Sequence, residues 1–253
     1  MPPLIGVMSR GAASTPTQSM PDLHGYGPSL LQGAWMTVSV GLAAMLVAVI
    51  LGLLGTWGKA SPTPLIRFAA DAYTTVIRGV PELILLLLIY YGVPTLIQDT
   101  AQAAGYTLRV HLNPFLAGVM TIGLIYGAFA TEVFRGAFNA VPEGQRAAAR
   151  AAGMSQPLAW RRVILPQALR IALPGLGNVW MVLIKATALV SLIQLEEVMR
   201  KAKIAANATH QPFTFYLLAS LIFLAITVVS AVVQHRAERW ANRGHAAGRG
   251  GGH

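Results

Sequence analysis

The chain has 253 residues, 55% hydrophobic and only 11% charged, with a mean hydropathy of +0.56 and a formal net charge of +10. Soluble domains carry about a quarter charged residues, so this balance excludes an ordinary water-soluble globule and points to lipid as the main solvent; the positive excess then belongs in loops on one side of a bilayer and not on a nucleic-acid surface. No cysteine is present, which excludes a disulfide framework, a thiol nucleophile and thiolate zinc sites.

Residues 1–28 are rich in Pro, Gly, Ser and Thr, contain no apolar run, and read as a disordered lead. They lack the basic start, short apolar core and cleavage site of a secretory signal, and Met20 is a second candidate start. Five segments then reach the roughly 20 apolar residues that cross a bilayer as a helix: 30–55, 76–96, 113–134, 171–195 and 212–233. Helices are required because unpaired backbone groups cannot be left in hydrocarbon. Residues 29–240 therefore form one all-α integral membrane domain with a polar loop at 136–170, and 241–253 form a disordered basic tail.

Lys and Arg in the loops set orientation. With the N-terminus outside and the C-terminus inside, thirteen face the cytoplasm (Lys59 and twelve arginines) and five face outward (Arg10, Arg109, Arg200, Lys201 and Lys203), which leaves Lys185 within a span. Gly123, Gly127 and Thr131 make a small-residue stripe in the third span, suited to close helix packing. Pro174, Gly175 and Gly177 are expected to weaken or bend the start of the fourth.

The polar loop contains a short alanine-rich helix with punctuation at both ends. Pro142 suits a first turn, Glu143 favours the positive end of the dipole, and Gly153 suits a left-handed stop. Arg146 and Arg150 share a face. Ala147, Ala148, Ala151 and Ala152 leave a narrow rod that fits a groove on another protein; the alternative is a basic surface helix attracted to anionic lipid, against which stands the lack of a leucine or aromatic face that would sink into the interface.

No nucleotide site is written in the chain: the nearest approach to a phosphate loop, Gly58-Lys59-Ala60, lacks the earlier glycine and the hydroxyl, so any ATP is bound by a partner. The histidines at 24, 111, 210, 235, 245 and 253 show no ligand spacing, and no metal or other cofactor is expected. Ionisable residues in or beside the spans are the default functional candidates. Lys185 stands mid-span, either in a transport path or as a snorkelling or paired structural lysine. Arg78 with Glu82, and Glu132 with Arg135, have the spacing of structural ion pairs. Glu196 and Glu197 read as a solvated helix end, with attraction of a cation or an external protein as the alternative.

With these residues in view, the loop resembles the EAA loop of bacterial ABC importer permeases: Ala147-Ala148-Ala149, Gly153 and Leu165-Pro166 fall at its spacing. The stretches YTTVIRGVPEL from Tyr73, IYGAFATEVFRGAF from Ile125 and LIKATALVSL from Leu183 are similar to signatures of the polar amino acid importers. They look most like the Q-type membrane subunit of the histidine and lysine/arginine/ornithine systems, over about 25–240. The resemblance implies a type I importer fold in the bacterial inner membrane and alternating access without covalent chemistry. It implies a second, M-type permease, two ATP-binding subunits and an extracytoplasmic binding protein. It makes Glu143, Gly144, Gln145, Arg146, Ala147, Ala148, Ala149, Arg150, Gly153, Leu165 and Pro166 the coupling loop. Lys185, Thr187, Ser191, Glu132, Arg135, Arg78 and Glu82 become the candidates for the path or substrate. Two departures stand out: Ala147 replaces the usual Glu, leaving Glu143 or Gln145 to supply that contact, and Ala186 replaces an often polar residue. The rival readings are an ATP-independent secondary transporter or channel, which would need an inverted repeat and proton-relay carboxylates, and a membrane anchor that only recruits proteins.

Overall fold

A computed structural model describes residues 25–241. The proposed tail beyond Ala241 and nearly all of the proposed lead lie outside these residues. Within them, five helices are long and apolar enough to cross a membrane: α1 (Gly27–Lys59), α3 (Glu82–Ala103), α4 (Pro114–Asn139), α6 (Gln156–Ile193) and α8 (Pro212–Ala241). Three shorter helices intervene: α2 (Pro64–Gly79), α5 (Glu143–Ala151) and α7 (Val198–Thr209). Proline occupies the first turn of α1, α2 and α4, where its missing N–H would have had no partner anyway. Asn113 caps α4 by accepting from the Phe115 amide at 2.8 Å.

α1 and α4 run side by side in the same direction and form the centre of the bundle. The expected small-residue stripe is what lets them meet: a Cβ on Gly127 would lie 2.8 Å from Leu51 Cβ, and one on Gly52 would lie 2.7 Å from Ala130 Cβ. The close approach is fastened by hydroxyls, since Thr56 Oγ1 donates to the Thr131 carbonyl at 3.0 Å. Val40, Ala44 and Ala48 of α1, Leu86 of α3, Ile122 and Tyr126 of α4, and Leu183 and Val190 of α6 fill the core around this seam.

Two sequence expectations need correction. The second span does not run through 76–96. α2 ends at Gly79, Val80 and Pro81 are extended, and α3 begins at Glu82. Pro81 is the cause, because its ring disfavours a helical conformation at Val80. Second, Pro174 neither breaks nor ends the fourth span, as it lies inside a helix that continues to Ala186. Gly175 instead admits Val133 of α4, whose Cγ1 would lie 2.7 Å from an added Cβ, and Gly177 admits Gln234 of α8. The backbone distortions are elsewhere: π turns at Leu88–Gly92 in α3 and Trp160–Ile164 in α6 accompany Pro94 and Pro166, and α6 tightens to a 3-10 turn over Thr187–Ile193. That last turn closes on Gln194 in the left-handed region, φ 66°.

Candidate functional site

α5 is built as its punctuation demands. Pro142 caps the start in an extended conformation, and Gly153 takes φ +73° at the end. The Met154 amide donates to Ala149 at 3.1 Å and the Gly153 amide to Arg150 at 2.9 Å, the paired bonds of a Schellman closure. Ala149 faces inward at 4% exposure, whereas Ala147, Ala148, Ala151 and Ala152 are exposed, so the small face is free. The root of the helix is fixed to the bundle: Val141, Ile164 and Ala168 form a buried cluster with Phe138, and Arg146 donates to the Phe138 carbonyl at 2.9 Å. Leu165 and Pro166 open the regular part of α6 immediately after its π turn.

No acid of this loop stands free to replace the carboxylate absent at Ala147. Glu143 is shared by Arg150 at 3.2 Å and Arg146 at 3.8 Å. Gln145 lies 3.5 Å from Gln167. Gly144 is exposed and opens no close contact.

The break between α2 and α3 separates Arg78 from Glu82, so the expected i, i+4 ion pair does not form. Arg78 lies over the Phe129 ring at 5.3 Å, and Glu82 accepts from the Tyr126 hydroxyl at 2.9 Å. The two rings are themselves 5.7 Å apart. Opposite charges are thus presented on adjacent aromatic groups midway along α4, beside extended backbone at Val80 and Pro81. Such an arrangement can receive a zwitterion, with a cation for its carboxylate and a carboxylate for its ammonium group.

Glu132 and Arg135 do pair, at 2.8 Å, as part of a larger network. Lys59, at the last residue of α1, reaches Glu132 at 2.7 Å and Asp71 of α2 at 3.0 Å. This clamp ties α1, α2 and α4 together at one end of the bundle. The participation of Lys59 and Asp71 was invisible in sequence, because both lie more than sixty positions from Glu132. Near the far end of α6 Lys185 is exposed and has no partner within the described residues. Thr187 is buried and donates to the Ile184 carbonyl at 2.7 Å, and Ser191 is partly exposed on the following 3-10 turn. Lys185, Thr187 and Ser191 therefore mark the junction where α6 changes helical type, away from the Glu132 clamp.

Glu197 corrects the expectation of a solvated pair. It is fully buried, caps α7 by accepting from Met199 and Arg200 amides at 2.8 and 2.9 Å, and lies 3.5 Å from Thr37 of α1. Burial pushes its carboxyl up to about 7. Glu196 remains exposed, and a hydrogen bond from Lys201 holds its carboxyl below the usual range.

Five candidate spans, an exposed alanine face on a rooted loop helix and a broken second span together fit a transport protein without catalytic chemistry. Residues 44–243 match the family described as binding-protein-dependent transport system inner membrane component. The chain belongs to that family. This permease is 43% identical over 208 residues to the histidine/lysine/arginine/ornithine transport system permease protein HisQ of Escherichia coli strain K12, covering 82% of this chain and 91% of the relative. It is 46% identical over 221 residues to the nopaline transport system permease protein NocQ of Agrobacterium fabrum, covering 87% and 94%. Its fold matches a crystal structure of an amino acid ABC transporter with histidines at a TM-score of 0.75 and 32% identity, over 87% of this chain and 99% of that one. The permease is accordingly a transport subunit of an amino acid ABC importer with the type I importer fold, and ATP hydrolysis belongs to its partner ATPase.

Proposed function

We propose that this permease carries polar amino acids with a basic side chain across the bacterial inner membrane, as one of a pair with an M-type permease. A binding protein delivers substrate to the outer face, and two ATP-binding subunits each receive a coupling helix. The orientation is N-terminus out, supported by thirteen cationic residues against five in the loops. α5 then projects into the cytoplasm with its alanine face open to a groove on the ATPase, framed by Glu143, Gly144, Gln145, Arg146, Arg150 and Gly153. In this reading ATP-driven approach of the ATPases moves α5, and the spans exchange between inward-open and outward-open packings.

The observation that carries the substrate reading is the pair of charges at the α2–α3 break. Arg78 receives the substrate carboxylate, and Glu82, held by Tyr126, receives an ammonium or guanidinium group. Lys185 and Ser191 line the outer continuation of the path, with the buried Thr187 fixing the turn between them, and the clamp of Glu132 and Arg135 with Lys59 bounds it on the cytoplasmic side. Losing one charge-assisted hydrogen bond costs about 1.5–3 kcal/mol, roughly ten- to a hundredfold in affinity. Uptake of labelled arginine and histidine by cells expressing the complete importer should therefore show KM raised at least about tenfold in Glu82→Gln. Unchanged KM and rate in both Glu82→Gln and Arg78→Gln would remove the break from the path.

A further inference from the structure

A groove of about 540 Å³ lies between the last turns of α1 and α4 and the start of α6, lined by Leu53, Trp57, Lys59, Arg135, Arg146 and Trp160 among others. It lies beside the cytoplasmic boundary of the path proposed above and shares Lys59 and Arg135 with that clamp. Its walls divide into two chemistries. Leu53, Trp57, Phe138 and Leu165 supply hydrocarbon and aromatic surface, and Lys59, Arg135 and Arg146 supply three cations. No carboxylate is among the lining residues: Glu132, which pairs with both Lys59 and Arg135, Asp71, which pairs with Lys59, and Glu143, beside Arg146, lie outside the lining.

Two further observations bear on what fills it. Trp57 is 69% exposed on the face of α1 that continues through Leu54, Ile50 and Leu46, all exposed and all apolar, so the groove opens onto an apolar face of the first candidate span. Arg146 Nε is buried and makes no hydrogen bond, its nearest carboxylate being Glu143 at 3.8 Å, while the same guanidinium donates to the Phe138 carbonyl. A free inorganic anion would face the cations but leave the apolar half wet. A phospholipid with an anionic headgroup satisfies both, since tryptophan and arginine at a helix end are suited to the boundary between headgroups and hydrocarbon.

We infer that this groove is a binding site for an anionic phospholipid, with the phosphate between Arg135 and Arg146 and the first carbons of the chains against Leu53, Trp57 and Leu165. The inference rests on the N-out orientation, which puts the groove at the cytoplasmic leaflet. Arg146 belongs to α5, so the headgroup ties the coupling helix to the bilayer and makes coupling respond to lipid charge.

The test is native mass spectrometry of the complete detergent-solubilised importer, titrated separately with phosphatidylglycerol and phosphatidylcholine. Phosphatidylglycerol should stay bound under activation that strips phosphatidylcholine, and its apparent affinity should fall about fivefold for each charge removed in Arg135→Gln and Arg146→Gln. Trp57→Ser, which leaves every ion pair in place, should weaken both its retention and its affinity. Arg109→Gln, remote from the groove, should change nothing. Equal retention of the two lipids overturns the proposal, as does phosphatidylglycerol binding that survives both Arg135→Gln and Trp57→Ser. Displacement of the lipid by inorganic phosphate at equal concentration also overturns it and assigns a free-anion site. The readout is independent of transport, so a failure of the substrate reading leaves it unaffected. The orientation is settled separately by the labelling experiment described below.

Discussion

Glu197 turns inward beside the first turns of α1, where Gly33 gives it room: a Cβ there would lie 3.0 Å from the Val198 amide and 3.1 Å from the Glu197 carbonyl carbon. Its carboxyl titrates near 7 in the folded chain, against about 4.3 in an unfolded one. Between those values the folded state keeps a proton that the unfolded state has lost, so the contribution of Glu197 to stability is fully present below about pH 4.3, declines as pH rises to 7, and is level beyond. The shift corresponds to roughly 3–4 kcal/mol. Thermal unfolding of the purified permease between pH 5 and 8 should show that slope, and Glu197→Gln should flatten it. Lys185 calls for a different measurement, because it has no partner to lose. Lys185→Met should leave unfolding temperature unchanged and lower substrate-stimulated ATPase activity of the assembled importer several-fold; unchanged stimulation would make it a lipid-facing lysine.

At the scale of elements, α5 and the α1–α4 seam make opposite demands on glycine. Gly153 is needed for its backbone, since φ +73° costs a residue with a Cβ about 1 kcal/mol or more and a β-branched one still more. Gly153→Val should insert normally yet lose energised uptake in proteoliposomes, and full uptake would detach α5 from coupling. Gly127 is needed for its absence of volume. Gly127→Leu would drive a side chain into Leu51 and the Tyr73 hydroxyl, both 2.8 Å from the Cβ position, and should lower the unfolding temperature by several degrees. Both glycines were legible in sequence, one from helix punctuation and the other from spacing. The α2–α3 break was not read, although Gly79 and Pro81 flank it in plain view, because a hydrophobic run through Val76 and Leu83 masks a local stop. Pro174 was misread in the converse way. A proline within a packed helix can be accommodated when neighbouring elements supply the packing, as Val133 and Gln234 do around the following glycines.

For the whole molecule, the number of spans was legible because lipid imposes length and composition on each, whereas the partners of individual charges were not. Lys59 meets Glu132 because the last turns of α1 lie against α4, and Glu197 meets Thr37 because the first turns of α1 lie against the start of α7. Orientation was inferred from loop charge and can be measured directly, since the chain contains no cysteine to confuse labelling. Gly144→Cys on α5 should react with a membrane-impermeant maleimide only in inverted vesicles, and Lys203→Cys on α7 only in intact spheroplasts. The reverse pattern would overturn the N-out topology.

α6 runs from the loop that carries α5, past Lys185, to Ile193 without an intervening loop, through 38 residues. At 1.5 Å per residue that is a rod of about 55 Å. Its π turn and 3-10 end alter the helical register but leave no slack segment in which movement could be absorbed. A tilt of about 5° at the ATP-side end therefore displaces the opposite end by roughly 5 Å, close to one helical turn. If α5 couples as proposed, the stroke of this transporter is geared by leverage: a shift of that helix smaller than a side chain is enough to change which residues Lys185 faces.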